Sequence, residues 1–533
     1  MKIKKYLILL FLTHLINMFI PSNVFSYEKL THYEINQYIG QNNINGFSLN
    51  SYLKEQLLFK KGYDELFGQK TIHEEKPTVY RWLGLGGEEE DGDLYQLRYL
   101  SHFHNPLEND WNKAGYINDS LILAMQKPNR PFGKYSWQEV REYYYQALTL
   151  PKEEERKKYF SETFRGLGQL MHLVEDASVP AHVRHDGHGI GEPFEKYLYS
   201  NNSNLSTWFI GISTYFFKKE ILNYNLNLLQ ENASLSISRL IDTNLYNGNN
   251  PEITNNSGLI GLAEYTNANF FSAGTIPGTI ASGNFKFPHL PNISKSEYDI
   301  KDPRDKSKTT QRSYYISNTS PSYRLATYPM FKFFYSKETD EWLNIIIPVS
   351  LDNEVYSDYA SRLIPLSMSY AAGLLEYFFR GKLDLTYDSA NSKYEITNNS
   401  EEDMNGTFEI YYDNNKGERV KYWDNNFEIK AKTSGNNKFD ISNSFTEAKD
   451  IKETGRYILI FRGKLGNENN AIVGKVVDLY VSFKIKLIRD IDNNVMTPKG
   501  YGEGEDQTRI TIYNSNKNWC GYAIPYDSDD KYL

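Results

Sequence analysis

Four histidines, His172, His182, His185 and His188, fall within seventeen residues of a 533-residue chain that has only ten. His172 and Asp176 lie four apart near the end of a helical pattern running from about residue 156 to 177. That spacing puts both side chains on one face, one turn apart, where they can share a metal ion. The helix has to stop before Pro180, so His182 is expected in an extended segment that folds back over the helix end. His188 follows in a glycine-rich loop, and Glu195 stands at the start of another helical pattern, EPFEKYLY, with Glu192 three residues before it. Imidazole nitrogens and carboxylate oxygens are the ligands zinc accepts in catalytic sites. His185 and Asp186 are the weakest members, since the spacing requires neither.

A second group is SHFHNP at 101–106, preceded by the acidic run EEEDGD at 88–93. In extended backbone His102 and His104 face opposite sides, so only one should reach a metal. Most carboxylates of the acidic run are expected in a solvated loop, leaving one or two as ligands. The third group lies at the beginning of the chain. The first 26 residues, MKIKKYLILLFLTHLINMFIPSNVFS, join three lysines to an apolar run and close on Val24 and Ser26, the pattern of a secretory signal peptide. Cleavage after Ser26 would leave Tyr27 first, with His32 five positions on. A free α-amino group, with a pKa of about 7.7–8.0, is a competent nitrogen ligand, and its own carbonyl can close a chelate ring.

These groups need elements to position them. From residue 27 to 381 the patterns are mainly helical, as in Tyr159, Phe160, Phe164, Leu167, Leu170 and Leu173, with apolar residues three and four apart. Residues 245–325 are rich in Asn, Ser, Gly and Pro and read as long surface loops. After Gly381 the runs KYEI, GTFEIYY, RVKYW, FEIKAK, RYILIFRG and AIVGKVVDLYVSF alternate between polar turns. Residues 382–485 are therefore expected to form an antiparallel, Ig-like β-sandwich domain, and 486–533 a C-terminal extension with one strand-like run, RITIY.

The charge balance narrows the partners. The chain carries −8, and loss of the leader, with three lysines and no acid, would leave −11. A stable duplex nucleic-acid partner is disfavoured, although bound divalent cations would reverse the sign locally. A single cysteine, Cys520, cannot form an intramolecular disulfide, so a secreted or periplasmic protein of this kind must rely on core packing and metal.

The three groups together resemble the superfamily of secreted zinc-dependent phospholipases C and single-strand-specific nucleases. The resemblance rests on His172-x3-Asp176-x5-His182, on the HF-x-x-P of His102 to Pro106, and on a histidine just inside the processed N-terminus. It implies a helical domain holding three zinc ions. One would be bound by His102, His172, Asp176 and an upstream carboxylate, for which Asp91 is favoured, with Asp93, Glu90 and Glu88 in reserve. Asp176 would bridge to a second ion completed by the Tyr27 amine and carbonyl and by His32. His182, His188 and a glutamate, Glu195 in preference to Glu192, would hold the third. Tyr27 stands where the family usually has tryptophan, a change the backbone ligand atoms tolerate.

The activity expected is hydrolysis of a phosphodiester by a zinc-activated water, with Asp91 both ligand and general base. A phospholipid substrate is favoured over single-stranded nucleic acid, and the β-sandwich is a candidate for surface or membrane contact. The rival from another class is an exported surface-binding protein with structural zinc, in which the β-sandwich does the work.

Overall fold

In a computed structural model the described residues are 29–68, 76–91, 101–108, 110–115, 135–186, 192–201, 208, 237–248, 260–276, 293–301, 309–319, 321–328, 330–336, 341–347, 349–388, 393–414, 416–434, 456–478, 510–513 and 519–523. The leader, Tyr27, Asp93 and His188 lie outside them. The amino-terminal half is helical and the carboxy-terminal region is built of antiparallel sheets. Residues up to Val477 form one compact unit and Asp478–Leu533 another.

The principal helices are α1 (Lys29–Gln41), α2 (Leu49–Gln56), α3 (Val79–Glu90), α4 (Trp137–Thr149), α5 (Glu153–Asp176), α6 (Pro180–Val183), α7 (Pro193–Ser200), α8 (Leu262–Asn269) and α9 (Asn353–Phe378). α5 is central, with α1, α3, α4 and α9 packed against it. Its first turn carries Glu153, Glu154 and Glu155, which suit the positive end of the helix dipole. Phe160, Phe164, Leu167, Leu170, Met171 and Val174 then supply an apolar surface wide enough to be covered on several sides.

Within the span expected to be helical or looped the chain instead folds into strands. β1 (Ile293–Lys301), β2 (Thr309–Ser317) and β3 (Tyr323–Thr327) form an antiparallel sheet, and β4 (Met330–Ser336) pairs with β5 (Glu341–Ile347). The alternation in β1 and β2 is carried by Ser, Lys, Thr and Tyr rather than by aliphatic residues, so composition masks a period of two. β3 packs on α9, with the Tyr359 hydroxyl donating to the Leu325 carbonyl at 2.7 Å.

After α9 come β6 (Leu383–Asp388), β7 (Lys393–Asn398), β8 (Met404–Asp413), β9 (Arg419–Ile429), β10 (Arg456–Leu465) and β11 (Glu468–Asp478). Four of them form a sheet in the order β9-β8-β10-β11, while β6 and β7 pair in a second sheet with the short strand Thr433–Ser434. In β10, Ile458 and Ile460 join the same hydrophobic core as the helices, while Leu459 and Phe461 alternate to the other face and are equally buried. Helices and sheet therefore share one core. A buried ion pair reinforces it, with Arg141 of α4 gripping Glu468 through Nε at 2.9 Å and Nη2 at 3.0 Å. In the second unit, β12 (Ile510–Tyr513) pairs antiparallel with β13 (Trp519–Ala523).

Candidate metal centre

The centre is assembled where α5 ends. α3 and α5 cross with their backbones in contact: a Cβ on Gly86 would overlap the Arg165 carbonyl, and one on Gly168 would overlap that of Leu83. Only glycine permits so close an approach. The crossing brings the Gly87 carbonyl to His172, whose Nδ1 donates to it at 2.9 Å. With its proton held on Nδ1, His172 turns the lone pair of Nε2 inward. α1 delivers His32 to the same point. Its Nδ1 donates to Glu175 Oε2 at 2.6 Å, which leaves Nε2, 3.5 Å from Asp176 Oδ1, as the free lone pair.

Four donor atoms then converge. His102 Nδ1 lies 3.3 Å from His172 Nε2, 3.2 Å from Asp91 Oδ1 and 3.0 Å from Asp176 Oδ2. His172 Nε2 lies 3.1 Å from Asp176 Oδ2 and 3.6 Å from Asp91 Oδ1. Ligands placed tetrahedrally at zinc distances of about 2.0–2.1 Å stand roughly 3.3 Å from one another. The five separations scatter around that value. On the far side of Asp176, His182 Nδ1 is 3.4 Å from Oδ1, and His182 Nε2 is 3.4 Å from Glu195 Oε1. Three groupings thus have the compactness of a metal site: Asp91, His102 and His172; His32, His172 and Asp176; and Asp176, His182 and Glu195.

Asp176 tests the fit most sharply. Both carboxylate oxygens are buried and neither accepts a hydrogen bond from a described residue, although four imidazole nitrogens stand 3.0 to 3.5 Å away. Leaving a buried carboxylate without hydrogen bonds costs several kcal/mol unless a cation takes their place. The residues present therefore fit a metal ion. Protonation tells the same story. Burial resists charging at His172, but Asp176 and Asp91 overcome it and raise its pKa to about 9. Burial likewise resists charging at Asp91, yet His172 and His102 hold its carboxyl below the ordinary range. Without metal, protons on His172 and His102 offset part of the carboxylate charge.

The other expected residues take definite places. Asp91 is the C-cap of α3. The acidic run before it is not a solvated loop: Glu88 to Glu90 form the last turn of α3, Glu89 pairs with Arg165, and Glu90 is fully buried with Oε1 3.5 Å from His102 Nε2. Nor is His182 in extended chain. Pro180 opens α6, a single turn, at a position where its missing N–H is no loss. His104 turns the opposite way from His102, with Nε2 2.8 Å from Asp242 Oδ2, while its backbone N–H donates to the His182 carbonyl. Glu192 caps α7 by accepting from the Glu195 N–H at 2.8 Å, which directs Glu195, not Glu192, toward His182. Asp186 accepts from the Gly274 N–H at 2.6 Å, and His185 occupies a left-handed turn at φ 51°.

Two participants were not foreseen from the sequence, Glu175 and the Gly87 carbonyl. The signals were Glu175 adjoining Asp176, and the glycines of GLGG at 84–87 and GLG at 166–168. No protein-family model and no curated protein matches the chain.

Proposed function

We propose that the chain is a zinc-dependent phosphodiester hydrolase of the phospholipase C kind, carrying three zinc ions. The observation that supports this best is the shared carboxylate of Asp176, buried without hydrogen bonds among His32, His102, His172 and His182. A site for one structural ion needs only four protein ligands. Here the donors extend on both sides of Asp176 in overlapping groups. His102, His172, Asp91 and Asp176 would hold the first ion, and Asp176 with His32 the second, completed by the Tyr27 amine and carbonyl. His182, Glu195 and His188 would hold the third.

Zinc bound there would supply Lewis acidity, charge neutralisation and a water of lowered pKa. The protein's part is orientation and proton handling. Gly87 and Glu175 fix the tautomers of His172 and His32, so their inner nitrogens stay unprotonated when ligated. Asp91 is 16 % exposed against 1 % for Asp176 and 0 % for His172. It is thus the carboxylate able to meet a substrate, and it takes the role of general base, receiving the proton from the attacking water. Phospholipid is the favoured substrate over single-stranded nucleic acid, consistent with a net charge of −8. The sheets after α9 are read as an Ig-like sandwich serving surface contact, on a protein exported after loss of residues 1–26.

The test is to prepare the chain beginning at Tyr27 and measure zinc per molecule together with hydrolysis of a phosphatidylcholine analogue and of single-stranded DNA. Three zinc ions and phosphatidylcholine hydrolysis, lost in His172→Ala, are expected. One ion with neither activity would reduce the centre to a structural metal.

A further inference from the structure

A cavity of about 370 Å³ opens between α2, α5 and the tip of the β8–β9 hairpin, apart from the metal centre. One wall is apolar. Phe59, Phe67 and Phe160 pack on each other with ring centroids 5.1 to 5.2 Å apart, and Leu57, Leu148 and Val476 continue the surface. The volume falls in the range of small-ligand sites. The same cavity is lined by Lys60, Arg156, Lys157, Arg419 and Arg456 and by the carboxylates of Glu65, Glu153 and Asp413.

The pairing there is uneven. Arg419 binds Asp413 through two bonds of 2.8 and 2.9 Å, and Arg156 Nη2 stands 3.8 Å from the same carboxylate. Arg456 adds a third positive charge beside Asp413. Burial works against the Arg156 charge and Arg419 repels it, so its pKa is lowered. Three guanidinium groups thus crowd about Asp413, with Glu153 and the Leu150 and Pro151 carbonyls as further partners of Arg156 and the Leu148 carbonyl of Arg419, and a second anion would relieve the repulsion among them.

We infer that this cavity binds an amphiphilic anion, an acyl chain carrying one carboxylate or phosphate, with the chain on the Phe59–Phe67–Phe160 wall and the head group at Arg156 and Arg456. A flexible acyl chain suits the apolar wall better than a flat ring, because the three rings are tilted onto one another and aliphatic side chains make up the rest. The assignment is independent of the metal chemistry, so its failure leaves the hydrolase reading untouched.

The experiment is calorimetric titration of the full chain with dodecanoate and with dodecyl phosphate below their micelle concentrations, with dodecyltrimethylammonium as the cationic control. Saturable binding of at least one anion is expected, and the tighter of the two identifies the head group. Arg456→Glu, at an exposed position, should weaken it at least tenfold. Val476→Phe, which fills the cavity, should do the same without touching the charges. No saturable binding, equal binding of the cation, or binding unchanged in both variants would overturn the assignment.

Discussion

Without a bound metal, the protein's stability should depend on pH in a direction set by His172. Its ordinary pKa is 6.5, and in the folded metal-free chain it rises to about 9 because, against the burial penalty, Asp176 and Asp91 favour the charged ring. A group with a raised folded pKa contributes stability that is fully present below the unfolded value and is lost as pH climbs through the folded one. The window is therefore pH 6.5 to 9, with stability falling upward. At about 1.4 kcal/mol per pH unit, the interval corresponds to about 3 kcal/mol, or about 3 °C in melting temperature for a unit of this length. His102 is shifted in the same direction, since Asp176, Asp91 and Glu90 outweigh its burial.

The assay is differential scanning calorimetry of chelated and zinc-loaded protein at pH 6 and pH 9, with His172→Gln as the reference that cancels the titrating groups that do not face His172. The chelated wild type should lose about 3 kcal/mol more than His172→Gln between the two conditions. Zinc-loaded protein should show no such loss, because the ion replaces the protons and its affinity grows as they leave. If chelated wild type and His172→Gln change equally with pH, the proposed balance between imidazolium and carboxylates is wrong.

Glu175→Gln should keep the fold but lower zinc affinity by about 10–100-fold, the effect expected of a lost orienting partner; competition with a zinc chelator measures it. Gly168→Ala forces a methyl into the Leu83 carbonyl, so it should destabilise by about 1–3 kcal/mol in urea unfolding and lower the zinc content as Gly87 is pushed from His172. Glu468→Ala strands the buried Arg141 charge and leaves Arg380 with Glu402 alone, and should cost about 3–5 kcal/mol by the same unfolding measurement.

What could be read in the sequence was whatever local spacing decides. The three- and four-residue spacing of apolar positions outlines α5 and α9, and alternation outlines β8 and β10, because these elements bury a face whose period the sequence must carry. His172 and Asp176 were legible as a pair for the same reason. β1 and β2 were not, since their alternating residues are polar, and β4 and β5 were not, since the apolar runs MFKFFYS and EWLNIII carry no period that separates strand from buried helix. The depth of Glu90 was hidden too. It sits in a run that composition marks as solvated, and only the glycine contact between α3 and α5 carries it inside. Glu175 was hidden because a carboxylate that orients a ligand has no spacing rule of its own; its partner His32 lies 143 residues away.

Glu90, Glu175, Asp176 and Glu195 are each at most 6 % exposed, and gathering carboxylates in so little volume is unfavourable unless positive charge is held among them. In the metal-free chain protons on His102 and His172, favoured by the neighbouring carboxylates against burial, supply part of it, and bound divalent ions would supply it in their place. Because the ligands come from α1, the end of α3, the 101–104 segment, the end of α5, α6 and the start of α7, binding must draw six separate pieces of chain to one place. Metal affinity and the stability of the helical half are then one quantity measured in two ways. A substitution such as Gly168→Ala, which touches no ligand, should accordingly lower both together.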